Sequence, residues 1–226
     1  MSKAWQYQDI DTLIRGWRVS PPPPMETMEW IGIKDGFTPE QLAWDNWGLG
    51  EDSIVFEIGG HNGRFTEAML ERYNPIIYFF EPAPRTFEFA KKRLGKYPNV
   101  KMFDFGLGNR NGTFDLGDAS KHGGSFLSDN EPIAQAKMVD IAEFFAEHSI
   151  SHVDFMQINA EGAEFFLLPH MINAGILDRV EKLMLHWHST PLIALYQSVI
   201  TAKMLETHRI TRAWTFQCWE KRKQED

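Results

Sequence analysis

Hydrophobic residues in this chain gather in short, nearly continuous runs, separated by segments where they recur every three or four positions. Ile54 to Ile58 is apolar apart from Glu57, and Gly59, Gly60 and Gly63 follow at once. A β-branched or aromatic run of this length reads as a strand covered on both faces. FTEAMLERY then has helical spacing, and IIYFFEP is a second apolar strand. VKMFDFG, after the helical PRTFEFAKKRLGKY, is a third, and VDFMQINAEG, after DIAEFFAEHS, is a fourth. EFFLLPHMINAGI reads as a helix kinked or broken at Pro169 and stopped at Gly175. VEKLMLHWH is a fifth strand, PLIALYQSVITAKMLETHR a long helix opened by Pro191, and TRAWTFQCWEK a sixth strand. No seventh strand has a clear pattern. Strands alternating with helices imply an α/β fold, doubly wound around a mostly parallel sheet.

The first fifty residues follow a different pattern. QDIDTLIRGW has the spacing of a short amphipathic helix, and Pro21 to Pro24 form a stiff, extended spacer. TPEQLAWDNWG reads as a helix with Thr38 as N-cap, Pro39 at its first position and Gly48 closing it. Trp30, Trp44 and Trp47 either cover a ligand pocket or pack in the core. This divides the chain into an N-terminal extension, 1–50, packing on a core domain, 51–226.

The glycine turn narrows the ligand. A dinucleotide-binding G-x-G-x-x-G requires glycines two and five residues after the first, but from Gly59 those positions hold His61 and Arg64, and from Gly60 Asn62 and Phe65. What remains is an acid, Glu57, two residues before a glycine turn, which suits a ligand with positive charge near the turn better than a pyrophosphate. Without side chains on the glycines, a ligand can approach the backbone N–H groups. Glu81 lies 22 residues beyond Gly59 at the tip of the second strand, where Rossmann-like folds place the carboxylate that accepts hydrogen bonds from ribose hydroxyls.

EIGGHNG, FEPAP, GLGNRNG, VDI and DFMQINAEGAE, in this order and spacing, resemble the FkbM family of S-adenosylmethionine-dependent methyltransferases over roughly Ser53 to His188. The family block K-I-D-V-E-G-A-E is matched by Gln157 to Glu164, with Gln157 and Asn159 in place of its Lys and Asp; His61 stands where the family commonly has Asn. The resemblance implies a class I methyltransferase fold, S-adenosylmethionine as cofactor, and O-methylation of a small molecule such as a sugar or natural product. A non-catalytic module that only binds the cofactor and a nicotinamide-dependent oxidoreductase are the alternatives.

Ligands of doubly wound sheets collect outside the carboxyl ends of the strands. That rule gathers Glu57, Gly59, Gly60, His61, Asn62, Gly63, Glu81, Pro82, Asp104, Gly106 and Asn159 as cofactor-binding candidates. Glu57 suits the ammonium of the methionine moiety or pairs with a helix terminus. The stretch from Asp104 to Gly108 lies near the adenine, or Asp104 caps a turn. Glu161, His186 and His188 are the catalytic candidates. The two histidines share a strand face, with Trp187 opposite. Each can serve as a general base or as a structural residue, and the pattern completes no metal site. Glu164, one helical turn beyond Glu161, reads as a partner of the helix dipole.

Composition restricts the remaining classes. With 226 residues, 43% of them hydrophobic, and eight Trp, the chain can bury a large core. A net charge of -8 and a pI near 5.5 argue against a broad nucleic-acid footprint, and the small-molecule acceptor is what the resemblance implies. Cys218 alone forms no internal disulfide and no zinc pattern. Neither a signal peptide nor a membrane span is read, so a cytoplasmic enzyme is expected.

Overall fold

A computed structural model describes residues 7–18, 39–43, 45–117, 132–188, 193–213 and 215–223. The proline run, the expected N-cap Thr38, the helix-opening Pro191, Trp30 and Trp44 lie outside them.

The chain runs through α1 (Tyr7–Ile14), α2 (Pro39–Ala43), β1 (Ile54–Ile58), α3 (Arg64–Tyr73), β2 (Ile76–Phe80), α4 (Pro84–Leu94), β3 (Val100–Phe103), β4 (Gly106–Gly108), β5 (Gly112–Gly117), β6 (Pro132–Asp140), α5 (Ile141–Glu147), β7 (Phe155–Ile158), α6 (Glu164–Asn173), β8 (Lys182–His186), α7 (Ala194–Met204), β9 (His208–Ala213) and β10 (Phe216–Lys221). The main sheet has seven strands in the order β3-β2-β1-β7-β8-β10-β9. All neighbours pair in parallel except β10, which is antiparallel to both β8 and β9. This is the doubly wound α/β class expected from the sequence. The order turns back between β1 and β7, which opens a crevice at their carboxyl ends.

Both faces of the sheet are covered, which explains why its central strands read as unbroken apolar runs. On one face Phe56, Ile58, Tyr78 and Phe80 pack with Phe144 of α5, Phe165 of α6, Ile200 of α7 and Ile10 of α1. On the other, Val55, Ile77, Phe79 and Phe155 pack with Leu42 of α2, Phe65 and Met69 of α3, and Ala90 and Leu94 of α4. Trp47 belongs to this second core: its ring meets Phe155 edge-on at 4.7 Å and its Nε1 donates to Leu42 O. Helix α1 sits against α6, with Trp17 Nε1 donating to Asn173 Oδ1 at 2.9 Å.

Four expectations need correction. TRAWTFQCWEK is not one strand: β9 ends at Ala213, β10 begins at Phe216, and Gln217 pairs back onto Ala213. The alternation continues through the reversal without glycine or proline, so its period alone concealed the hairpin and the seventh strand. VKMFDFG also divides, since β3 stops at Phe103 and Gly106–Gly108 pairs with β6 in a separate three-stranded sheet, β4-β6-β5. Helix α6 runs through Pro169, because Phe165 to Pro169 and Met171 are all buried and packing outweighs the missing ladder bond. Helix α2 stops at Ala43, short of Gly48.

Phe56 lies at the centre of an aromatic cluster, stacked on Tyr78 at 4.8 Å and tilted against Phe145 at 5.3 Å. Phe56→Ala is expected to lower the unfolding free energy by about 3–5 kcal/mol in denaturant titrations; a loss below about 1 kcal/mol would mean the cluster does not anchor the sheet.

Candidate functional site

The carboxyl ends of β1, β2, β7 and β8 open into a cavity of about 500 Å³, a size that suits a nucleoside-sized ligand. Its floor is the turn after β1. Gly59 has φ +79°, and a Cβ there would lie 2.0 Å from Asn159 O; a Cβ on Gly60 would lie 2.1 Å from the Phe79 ring. The glycines therefore let backbone and ring close up within the protein. Their N–H groups are also taken: Gly59 and Gly60 both donate to Phe80 O, Gly63 donates to Gly60 O, and His61 N donates to Glu81 Oε2 at 2.8 Å. The sequence reading left these groups for a ligand; inside the fold they are already satisfied. A pyrophosphate would find few free donors on this turn, which weakens the nicotinamide alternative.

Glu81 is the second fixed point. It follows β2 directly, is almost fully buried, and accepts from His61 N and from Ala83 N at 2.8 Å each. Burial raises its pKa to about 7 against the effect of those two hydrogen bonds. Glu57, on β1, faces the α3 side and accepts from the Thr66 hydroxyl. Burial first, then the nearby charges of Glu81 and Glu40, lift its pKa to about 8. Beside it on β7, in register, is Gln157, whose buried Oε1 finds no hydrogen-bond partner among the described residues. This end of the cavity gathers buried acceptors. A ligand carrying hydroxyls and positive charge fits it, as the cofactor implied by the resemblance does.

The opposite end forms where β7 and β8 finish. After β7 the chain turns through Glu161 at φ +49° and Gly162 at φ +101° into α6. Glu164, the first residue of that helix, has no exposure and accepts from Gly162 N at 2.9 Å, His188 N at 2.7 Å and His188 Nδ1 at 3.1 Å. His188 Nε2 faces Glu161 Oε1 at 3.4 Å. Burial disfavours charge on this ring, but the hydrogen bonds to Glu161 and Glu164 outweigh it and carry the pKa to about 10. The charged form, with a proton on each nitrogen, has no lone pair, so these two carboxylates work against His188 as a base. His186, whose ring centroid is 4.4 Å away, differs: burial and the neighbouring His188 charge lower its pKa, which favours the uncharged ring. Its Nδ1 lies 2.9 Å from Asn159 Oδ1, and Phe216 of β10 packs on the ring at 4.9 Å.

Most residues expected from the sequence line this one cavity: Glu57, Gly59, Gly60, His61, Asn62, Glu81, Pro82, Gly106, Asn159, Glu161, His186 and His188. Two do not. Gly63 caps α3 at φ +76° without touching the cavity, where a Cβ would strike Leu94 of α4 at 2.6 Å. Asp104 is exposed in the bend after β3, while its neighbour Phe105 takes the inward place against Phe80 and Phe103. Missed were Leu116 and Met138 of the small sheet, Glu40 and Phe216, all of which line the cavity. Phe216 lies opposite His186 in the β10–β8 register, a signal available only once the last hairpin is recognised. Glu164 serves as more than a dipole partner, since its three donors come from both the turn and the segment after β8. Among the described residues no group of His, Cys, Asp and Glu could hold a metal ion, and no helix is long and apolar enough to cross a membrane.

The chain belongs to the methyltransferase FkbM domain family, whose pattern matches residues 57–191. Among solved structures it is similar to an rRNA methylase from Streptococcus thermophilus, at 15% identity and a TM-score of 0.50 over 82% of this chain and 97% of that one. A precorrin-6y C5,15-methyltransferase from Geobacter metallireducens shares 11% identity, with a TM-score of 0.46 over 80% and 84%. A methyltransferase from Streptococcus mutans, solved in complex with SAH, shares 10% identity, with a TM-score of 0.43 over 76% and 90%. At 15% identity the likeness to the rRNA methylase establishes the fold alone. No curated protein matches the chain in sequence.

The buried Glu57 generates a test of sign. Its carboxyl titrates near the ordinary 4.5 when unfolded and near 8 when folded, so the folded state holds the proton more tightly. The ligand-free protein therefore loses stability as pH rises from 4.5 towards 8. Glu57→Gln is expected to raise its unfolding free energy at pH 7 by on the order of 1–3 kcal/mol, and to do nothing at pH 4. Equal gains at both pH values in denaturant titrations would place the effect elsewhere.

Proposed function

We propose that this methyltransferase takes its methyl group from S-adenosylmethionine and delivers it to a hydroxyl of a small molecule, such as a sugar or natural product, with His186 accepting the hydroxyl proton. The observation that carries this reading is the contrast between the two ends of one cavity: the buried acids Glu57 and Glu81, with no cation among the described residues bonded to either, at one end, and at the other the imidazole of His186, whose uncharged form burial favours. S-adenosylmethionine supplies a methyl group already activated by its sulfonium. The protein is left to orient the acceptor and remove its proton.

Within this proposal Glu81 accepts hydrogen bonds from the ribose hydroxyls, and Glu57, with the unpartnered Gln157 Oε1 beside it, receives the ammonium of the methionine moiety. Pro82, Gly106, Leu107, Leu116 and Met138 give an apolar slot for the adenine. Glu161 holds His188 in its charged form and is not the base. A small, neutral acceptor agrees with a cavity whose cationic lining groups are Arg64 and the committed His188.

Calorimetry should find binding of S-adenosylmethionine and S-adenosylhomocysteine and none of NAD; the reverse pattern would overturn the assignment. Glu81→Ala should weaken S-adenosylmethionine binding at least tenfold, because charge-assisted hydrogen bonds are worth about 1.5–3 kcal/mol each. An affinity near the parent's would remove Glu81 from the ribose. On a panel of hydroxylated acceptors, His186→Ala should cut turnover about a hundredfold with cofactor affinity kept. The parent's pH profile should rise through a midpoint below 6.5, the direction of the His186 shift, and the variant should lack that limb.

A further inference from the structure

Asn159 occupies an unusually rigid place. Its N donates to Ile58 O at 2.9 Å, and its carbonyl is packed against Gly59 so closely that no side chain would fit between them. The backbone is thus held from the β1 side while the side chain reaches towards β8. There Oδ1 lies 2.9 Å from Nδ1 of His186. A carboxamide oxygen only accepts, so the ring nitrogen facing it must carry hydrogen. In a neutral imidazole that leaves Nε2 without one.

We propose that Asn159 is a positioning residue that fixes His186 in the Nδ1–H tautomer and so leaves the Nε2 lone pair to take the acceptor's proton, an inference that rests on His186 being the base. The surroundings keep the ring in that neutral form. Just beyond β8 the charged His188 sits at a centroid distance of 4.4 Å and opposes a second positive charge. The turn after β7 contributes Glu161 and Glu164, which act in the other direction, but both are already committed to His188. β10 contributes Phe216, which carries no charge, and Glu57 of β1, Glu40 of α2 and Arg64 of α3 line the same cavity. An amide at position 159 orients the ring without adding charge. A carboxylate of the same shape would orient it equally and also favour the imidazolium, which has no lone pair to offer at the pH where the neutral ring does. The proton balance is simple: the hydroxyl O–H bond breaks as the Nε2–H bond forms, giving an imidazolium that keeps its Nδ1–H on Asn159.

Two substitutions separate orientation from charge, and Asn159→Asp preserves the shape. Histidine ring nitrogens labelled with 15N report tautomer and titration in the ligand-free protein, with the His186 signal assigned by its loss in His186→Gln. The parent should show a protonated Nδ1 and a bare Nε2. Asn159→Ala should move the ring towards the Nε2–H tautomer and lower turnover about tenfold or more. Asn159→Asp should keep the tautomer and raise the titration midpoint by about one pH unit or more, with the limb of the pH–rate profile moving by the same amount. A protonated Nε2 in the parent, or one tautomer and one midpoint in all three proteins, overturns the proposal. If the tautomer follows residue 159 but His186→Ala keeps full turnover, the base assignment falls, and the Asn159 contact is structural only.

Discussion

The carboxylate of Glu164 holds together the end of the cavity where β7 and β8 finish. Removing a carboxylate from water costs several kcal/mol unless donors replace its hydration, and here Gly162 N, His188 N and His188 Nδ1 do so. One side chain thereby joins the turn after β7, the start of α6 and the extension of β8. Its consequences are electrostatic as well as mechanical. Bonded to Glu164 and Glu161, His188 favours its charged form, and burial together with that neighbouring charge lowers the pKa of His186. The two histidines are alike in sequence and shifted in opposite directions, because two carboxylates hold a charge on His188 while burial and the neighbouring His188 disfavour one on His186.

At the other end the protein accepts instability. Glu57 and Glu81 are buried with pKa values near 8 and 7, which costs the ligand-free fold free energy at neutral pH. Cationic and hydroxyl groups in the cavity would relieve that cost, so binding energy and folding energy are coupled through the same carboxylates. The positive φ of the non-glycine residues His61 and Glu161 is strain of the same kind, located at the two turns that bound the cavity. Reagents carrying phosphate are poorly served here, since the turn after β1 has already given its Gly59, Gly60, His61 and Gly63 N–H groups to the protein.

Much of the scaffold was legible in the sequence because buried parallel strands leave a local trace. Ile54–Ile58, Ile76–Phe80, Phe155–Ile158 and Lys182–His186 each read as an apolar run and each became a central strand. The rim followed from the rule that ligands gather at strand ends, which brought Glu57, Glu81, Asn159, Glu161 and the two histidines to one cavity. What stayed hidden depends on contacts distant in sequence. Nothing local separates Gly63, which accommodates Leu94, from Gly59, which accommodates Asn159 O. Phe216 becomes a neighbour of His186 only through a hairpin that no turn residue announces, and Leu116 and Met138 arrive with a second sheet whose strands are short and half polar. The protonation of His188 depends on two glutamates 24 and 27 positions before it and a turn that brings both to its ring.

A crystal structure with S-adenosylhomocysteine bound tests the central assignment most directly. The ribose is expected on Glu81 and the amino group towards Glu57 and Gln157, with the sulfur facing open space that reaches Nε2 of His186. A nucleoside lying elsewhere, or a sulfur separated from His186 by protein, would contradict both the placement of the cofactor and the choice of base.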